Sequence, residues 1–347
     1  RRFGVHSAMA SAEARRLCPQ AIWTHGHFDR YREVSAQVMA ILADETPRVE
    51  RVSIDEAFID ITPGRFAPED PLLVARRISD RVAALGVTCS IGMGCNKTVA
   101  KIASERDKPF GLTIVRPGTE QRFLAALPVS AMSGIGRSAE ERLRRMRIYT
   151  LGELSRAPES TLASIFGVNG ERMRQRALGL EISEVTSLDE EREVKSVSNE
   201  RTFAKDLTER GDIEAAIALL GESVGRRLRR QGLTGGTVTL KLKYSYGSGR
   251  TAQRRLPHPT DDENIFVAVA LELLDNIWQE GMHVRLAGIG MSDFNHQGGI
   301  QTDLFCEVDD RGAQSSDRRE LSVAIDAVRD KFGDTALSFG RQSRFND

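Results

Sequence analysis

Ser53-Ile54-Asp55-Glu56 places two adjacent carboxylates between two β-like runs, Val49-Glu50-Arg51-Val52 and Ala57-Phe58-Ile59-Asp60-Ile61. The pattern predicts a tight hairpin with Asp55 and Glu56 at its tip. Two-residue turns favour Asn-Gly, Asp-Gly or Gly-Gly, because Gly and Asn tolerate φ > 0. Asp-Glu is a poor turn sequence. A locally costly sequence between two well-formed strands marks a site rather than a connector. Carboxylates on a rigid strand end suit Mg²⁺, a hard ion that takes oxygen ligands and shares them with substrate phosphates. Taken alone, the tetrapeptide also reads as an exposed acidic turn.

A second chemical feature is Ser133-Gly134-Ile135-Gly136-Arg137-Ser138-Ala139-Glu140-Glu141. It reads as a turn, Gly-x-Gly, then a helix, with a capping box predicted between Ser138 and Glu141. Gly134 and Gly136 let the backbone approach a ligand, and the first helical amides are unpaired donors suited to phosphate. Thr150-Leu151-Gly152-Glu153 caps a further helix. Helix, Gly-x-Gly hairpin, helix is a pattern that grips DNA backbone without reading its sequence. A plain helical turn is the simpler reading of Gly-x-Gly alone, and Arg137, Arg142, Arg144, Arg145 and Arg147 weigh against it.

The third feature is a predicted strand over 237–246. Val238, Leu240, Leu242, Tyr244 and Tyr246 alternate with Thr237, Thr239, Lys241, Lys243 and Ser245. One face is apolar, and the other offers Lys and hydroxyl groups to a phosphate backbone. Lys is equally at home on a solvated strand face. Net charge is +0, but the charge is not evenly mixed. Residues 226–255 hold nine Lys/Arg and no Asp or Glu, while 303–334 hold nine acids against five bases. Local fields, not the total, attract a phosphate backbone. Beyond the last predicted strand, Gln301-Thr302-Asp303-Leu304-Phe305 could anchor Leu304 and Phe305 in an apolar cleft of a partner.

These features need a scaffold, and the chain supplies one. Its 347 residues suffice for several domains, and 40% hydrophobic with 28% charged residues is a globular composition. No apolar run is long enough to span a bilayer, so no membrane association is expected. Cys18, Cys89, Cys95 and Cys306 form no Cys-x-x-Cys pair, which fits a reducing cytoplasm and argues against a zinc site. His25 and His27 lack partner ligands. The phosphate loop Gly-x-x-x-x-Gly-Lys-Ser/Thr is absent, because the run ending Asn96-Lys97-Thr98 lacks the first Gly at the required offset. Helices are predicted over 11–17, 29–44, 72–85 and 96–106, with strands over 87–92 and 112–115. This mixture around the acidic hairpin indicates a mixed α/β domain. Residues 117–180 read as helical, 181–195 as a polar linker, and 196–294 as a second α/β unit with a helix over 213–228.

Taken together, the motifs resemble a known family. They are Arg1-Arg2-Phe3-Gly4-Val5-His6-Ser7, the 53–56 tetrapeptide, Ser90-Ile91-Gly92 with Asn96-Lys97 and Ala100-Lys101-Ile102-Ala103-Ser104, Lys108-Pro109-Phe110-Gly111, the 134–136 hairpin, and Lys195-Ser196-Val197-Ser198 with Glu200-Arg201-Thr202. In this order they resemble the bacterial Y-family DNA polymerases of the DNA polymerase IV type, over almost the whole chain. The resemblance implies an α+β multidomain right hand. It divides into partial fingers (1–27), a ferredoxin-like palm (28–116), a helical thumb with helix-hairpin-helix (117–180), a linker (181–195), an α/β little finger (196–306) and a C-terminal acidic tail (307–347).

It also implies a low-fidelity, template-directed DNA polymerase of translesion synthesis, monomeric and without proofreading. Its partners would be primer–template DNA, a dNTP and a sliding clamp held through Gln301, Leu304 and Phe305. Asp55 and Glu56 would hold two Mg²⁺ ions. Arg1 and Lys108 would contact the triphosphate. Gly134, Gly136, Arg137, Arg201, Thr202, Lys241 and Lys243 would contact DNA. The family's first palm strand, with a further Asp ligand and the ribonucleotide-excluding aromatic residue, is expected to lie before Arg1. A chain beginning at Arg1 is therefore expected to be N-terminally incomplete and itself inactive. The rival expectation is a non-catalytic DNA-binding adaptor that keeps the fold; retention of Asp55 and Glu56 weighs against it.

Overall fold

A computed structural model describes residues 2–66, 69–188, 190, 193–294, 311–333 and 336–337, with side chains in the last helix described from Glu320 onward. The chain forms two units, Arg1–Glu191 and Arg192–Asp347, divided inside the polar 181–195 segment.

The first unit begins with α1 (Ser11–Leu17) and α2 (Phe28–Ala43), followed by β1 (Val49–Arg51) and β2 (Ala57–Ile59). The hairpin forms as the sequence predicts: β1 and β2 are antiparallel, with Val49 opposite Ile59 and Arg51 opposite Ala57. Its tip is wider than a two-residue turn. The amides of Val52 and Ser53 both donate to the Glu56 carbonyl. Then come α3 (Pro71–Ala84), β3 (Ile91–Met93), α4 (Lys97–Ser104) and β4 (Leu112–Ile114). The strand expected from residue 87 pairs only from Ile91, whose amide donates to the Gly111 carbonyl. β3 and β4 run parallel. The sheet of this region appears as two two-stranded pieces, with no described strand joining them.

The remainder of this unit is helical, as expected: α5 (Glu120–Ala125), α6 (Arg137–Arg145), α7 (Leu151–Arg156), α8 (Glu159–Phe166) and α9 (Gly170–Leu178). One apolar core joins Leu124, Val129, Met132, Leu143, Leu151, Leu154 and Leu162 to Val99, Ile102 and Ala103 of α4. The buried face of α4 therefore belongs to the helical core, although the sequence grouped α4 with the strands. Its seat on β3 is set by Gly92. A Cβ there would lie 2.0 Å from the Ala100 carbonyl oxygen and 2.3 Å from the Ser104 nitrogen, so no side chain fits.

The second unit runs β5 (Ser196–Leu207), α10 (Arg210–Gln231), β6 (Gly235–Tyr244), β7 (Gly249–Thr260), α11 (Glu263–Ile277), β8 (Val284–Phe294) and α12 (Arg311–Phe332). The sheet order is β5-β8-β6-β7, with every neighbour antiparallel. Val238, Leu240, Leu242 and Tyr244 of β6 pack with Ala287, Ile289 and Met291 of β8 into a core shared with Ile213, Ile217, Leu220, Val224 and Leu228 of α10. Burying each such aliphatic side chain stabilises the unit by about 1.5–3 kcal/mol. The strand predicted over 237–246 is shifted: it starts at Gly235 and ends at Tyr244. The Gly247 amide there donates to the Tyr244 carbonyl in a turn, and Tyr246 stacks on Tyr244.

Residues 307–347 are more than an acidic tail. Within them α12 binds the surface of α10 by ion pairs. Asp330 lies 2.5 Å from Arg226 and also pairs with Arg230, Asp326 lies 2.7 Å from Arg229, and Arg329 lies 3.1 Å from Glu222. The run of bases from Arg226 is thus partly neutralised within the chain, by acids that arrive about a hundred residues later. Arg229 also pairs with Glu263, whose burial pushes its carboxyl above the ordinary glutamate range despite that partner.

Candidate active site and nucleic-acid interface

The acidic hairpin faces α4. Lys97 and Lys101 are spaced i,i+4 and so share one face of that helix. Lys97 pairs with Glu50 on β1, and Lys101 pairs with Glu56 at the hairpin tip. Glu105, the residue capping the end of α4, accepts from Lys101 at 3.3 Å and from Lys108 at 2.7 Å through the same oxygen. Glu56, Lys101, Glu105 and Lys108 therefore form one alternating chain of charge. Burial opposes the charge on Lys101, but Glu56 and Glu105 outweigh it and raise its pKa above the ordinary lysine value. Burial likewise works against ionised Glu105, and Lys108 and Lys101 overcome it to lower its pKa.

Asp55 is held by its own turn. Ser53 Oγ donates to Asp55 Oδ1 at 2.6 Å, and the Asp55 amide donates back to Ser53 Oγ at 3.3 Å. The turn is braced from below: Ser35 of α2 donates to the Ile54 carbonyl at 2.5 Å, and Arg51 donates to the Ser53 carbonyl at 3.2 Å. The donor set fits a hard divalent cation. Both groups are carboxylates, and Glu56 keeps a side-chain exposure of 42%, which leaves room for phosphate and water oxygens around the ion. Among the described residues Asp55 and Glu56 are joined by no third His, Cys, Asp or Glu in a group that could hold a metal ion.

The structure brings Asp55, Glu56 and Lys108 into one region; Arg1 lies outside the described residues. Lys97, Lys101 and Glu105 are the members that sequence reasoning left without a role. Their signal was present: two lysines on the polar face of a short amphipathic helix directly after a strand.

The 134–136 turn has the expected shape. Gly134 has φ +94, a left-handed conformation that favours glycine. Gly136 is the N-cap residue of α6, with open space where a Cβ would stand. The capping box predicted between Ser138 and Glu141 does not form, because Ser138 falls inside the first turn of α6 and the cap is Gly136. The true capping box is Thr150 with Glu153 at α7. The arginines nearby divide. Arg142 donates to the Ser164 and Ile165 carbonyls, while Arg144 and Arg137 each make an exposed pair one turn along, with Glu140 and Glu141, and Arg137 is 93% exposed.

In the second unit the outer sheet face carries Ser198 and Glu200 of β5, Thr239 and Lys241 of β6, and Gly288 and Gly290 of β8 around one shallow trough. Lys241 is held by Glu200, with both oxygens within 2.9 Å. Lys243 is exposed on the same face by strand alternation. Thr202 joins it, being even-numbered with Ser198 and Glu200. Arg201 does not. It alternates with buried Val197 and Phe203, pairs across to buried Ala287, and sits over the Phe203 ring at 6.0 Å. Gln301, Leu304 and Phe305 lie outside the described residues. Among the described residues no helix is long and apolar enough to cross a membrane.

Comparison with known proteins gives this arrangement its class. Residues 1–105 match the impB/mucB/samB family, and residues 194–304 match the impB/mucB/samB family C-terminal domain. The DNA polymerase IV of Lactococcus lactis subsp. cremoris (strain MG1363) is 37% identical over 299 residues, covering 86% of this chain and 81% of that protein. The DNA polymerase IV of Dehalococcoides mccartyi (strain CBDB1) is 34% identical over 349 residues, covering 100% of this chain and 87% of that protein. A solved Y-family DNA polymerase chimera of Dbh and Dpo4 superposes with a TM-score of 0.72 at 22% identity, over 84% of each chain, which shows the fold. The chain belongs to the impB/mucB/samB family, the Y-family DNA polymerases of the DNA polymerase IV type.

The two faces of the sheet make a directional prediction. Lys243→Ala is expected to weaken primer–template binding and to reduce the slope of log affinity against log salt by about one. Arg201→Ala is expected to leave that slope unchanged. Fluorescence anisotropy over a salt series measures both, and equal slope changes would place Arg201 on the DNA face.

Proposed function

We propose that this protein is a template-directed DNA polymerase of low fidelity that acts in translesion synthesis, with Asp55 and Glu56 as its catalytic carboxylates. The observation that carries the reading is the carboxylate hairpin faced by the lysines of α4, in a chain of this family. The reaction joins the primer 3′-OH to the α-phosphate of a dNTP and releases pyrophosphate.

Asp55 and Glu56 would hold Mg²⁺, two ions per site. Bound there, the metal would supply charge neutralisation at the phosphates and acidify the attacking hydroxyl. The chain's own residues do the positioning. Ser53 fixes the Asp55 carboxylate, and Lys101 pairs with Glu56 and orients it. Lys108 and Arg1 bind the triphosphate, favouring its negative charge without a chemical step of their own.

The regions take the roles of fingers (1–27), palm (28–116), thumb (117–180), linker (181–195) and little finger (196–306). The amides at Gly136 and Arg137 grip backbone phosphate, as helix N-termini do. Thr202, Lys241 and Lys243 meet the duplex from the sheet. Gln301, Leu304 and Phe305 dock in a cleft of a sliding clamp, and the polymerase acts as a monomer. Cys18, Cys89 and Cys95 are free thiols, which supports a reducing cytoplasm.

Primer extension with Mg²⁺ and dNTPs tests the site. Asp55→Ala/Glu56→Ala is expected to lose extension by a factor of at least about 10³ while retaining DNA binding. Unchanged extension would remove the assignment. Leu304→Ala/Phe305→Ala is expected to abolish stimulation by the clamp and to spare clamp-free synthesis. Loss of both activities together would contradict the tether.

A further inference from the structure

A buried polar cluster at the start of α4 joins three elements of the first unit. Thr98 Oγ1 donates to Glu181 Oε2 at 2.5 Å, and the Thr98 amide donates to the same oxygen at 3.1 Å. Arg176 of α9 donates Nε to Thr98 Oγ1 and Nη1 to the Ser133 carbonyl, both at 2.8 Å. Glu181 Oε1 lies 3.6 Å from Arg176 and 3.8 Å from Arg172. Asn96, the N-cap of α4, adds a bond from Nδ2 to the Gly179 carbonyl at 2.7 Å. Thr98 is 3% exposed, and the side chains of Glu181 and Arg176 are 8% and 16% exposed.

Burying a charge is costly unless it is paired and fully hydrogen-bonded, and apolar residues of similar volume often stabilise as well or better. What this cluster supplies that apolar contact does not is a fixed geometry. Ser133 opens the turn that carries Gly134 and Gly136. The Arg176 guanidinium lies against that turn, 3.6 Å from where a Gly134 Cβ would stand. Thr98 stands in the first turn of α4, next to Lys97 and three residues before Lys101. One guanidinium therefore bonds both the turn and the helix whose lysines face Glu50 and Glu56.

We propose that Arg176, held by Glu181 and Thr98, is a positioning residue that locks the 133–136 turn to α4. Seating of primer–template DNA on the turn then fixes α4 and, through Lys101, the Glu56 carboxylate. This inference rests on reading the hairpin as catalytic and the turn as a DNA grip.

Single-nucleotide incorporation at saturating primer–template, with melting temperatures measured alongside, tests it. Arg176→Met is expected to lower the maximal rate about ten-fold even when DNA is saturating. Glu181→Gln, nearly isosteric, is expected to lower it less but in the same direction, and serves if Arg176→Met fails to fold. Because Arg176 acts through Lys101, Arg176→Met/Lys101→Met is expected to be no slower than Lys101→Met alone. A purely structural role would give fully additive losses, or lower melting temperatures with wild-type rates per active site; either result overturns the proposal. Asp55→Ala/Glu56→Ala is the control. If it extends normally, the catalytic reading falls and the inference with it. If it is inactive while Arg176→Met and Glu181→Gln keep the wild-type rate, the inference alone falls.

Discussion

The seat of α4 on Gly92 is the constraint on which the first unit depends. With a Cβ excluded at 2.0 Å from the Ala100 carbonyl, the helix backbone lies directly on β3. That contact orients the whole helix. Val99, Ile102 and Ala103 enter the helical core on one side, and Lys97 and Lys101 meet the carboxylate hairpin on another. An α-helix of eight residues has little intrinsic stability, so its position comes from these contacts. The same short helix thereby ties core packing, hairpin charge and the 133–136 turn together. A displacement of α4 would be felt at all three, because close-packed interiors transmit strain rather than absorb it.

The second unit divides its labour between the two faces of one sheet. The inner face is apolar and buried under α10 and α11. The outer face keeps small and hydroxyl side chains, with glycines along β8 flanked by Glu200 and Ser198. Such a surface is shallow and polar, suited to a broad charged ligand rather than to a small molecule. The arginines of α10 serve a different purpose, since Arg226, Arg229 and Arg230 hold α12. Charge counted along the sequence therefore overstates the base available for phosphate.

Much of the architecture was legible in the residues. The hairpin between residues 49 and 61, the left-handed Gly134 and the inward alternation of β6 each follow from local rules of period and turn chemistry. Other features were not legible, for physical reasons. The cap of α6 fell on Gly136 because helix starts are set by backbone geometry as well as by side-chain patterns. Arg201 lies on the helix side of its sheet and Thr202 on the other, because neighbours on a strand point to opposite faces, and which face is inward is set by pairing with the distant β8. The pairing of Glu56 with Lys101, and of Thr98 with Glu181, joins residues far apart in sequence, which no local pattern reveals. The tetrapeptide alone fits an ordinary acidic turn, and only the order of motifs over the whole chain distinguishes a polymerase.

The role proposed for the Asp55–Glu56 hairpin is to hold the catalytic metal. Mn²⁺ titration followed by electron paramagnetic resonance, with primer–template and a non-hydrolysable dNTP present, reads that binding directly and independently of synthesis. The intact protein is expected to bind Mn²⁺ with its paramagnetic signal altered at the site, and Asp55→Ala/Glu56→Ala to lose that population while still binding DNA. Equal Mn²⁺ binding by the two proteins would contradict a metal site at Asp55 and Glu56.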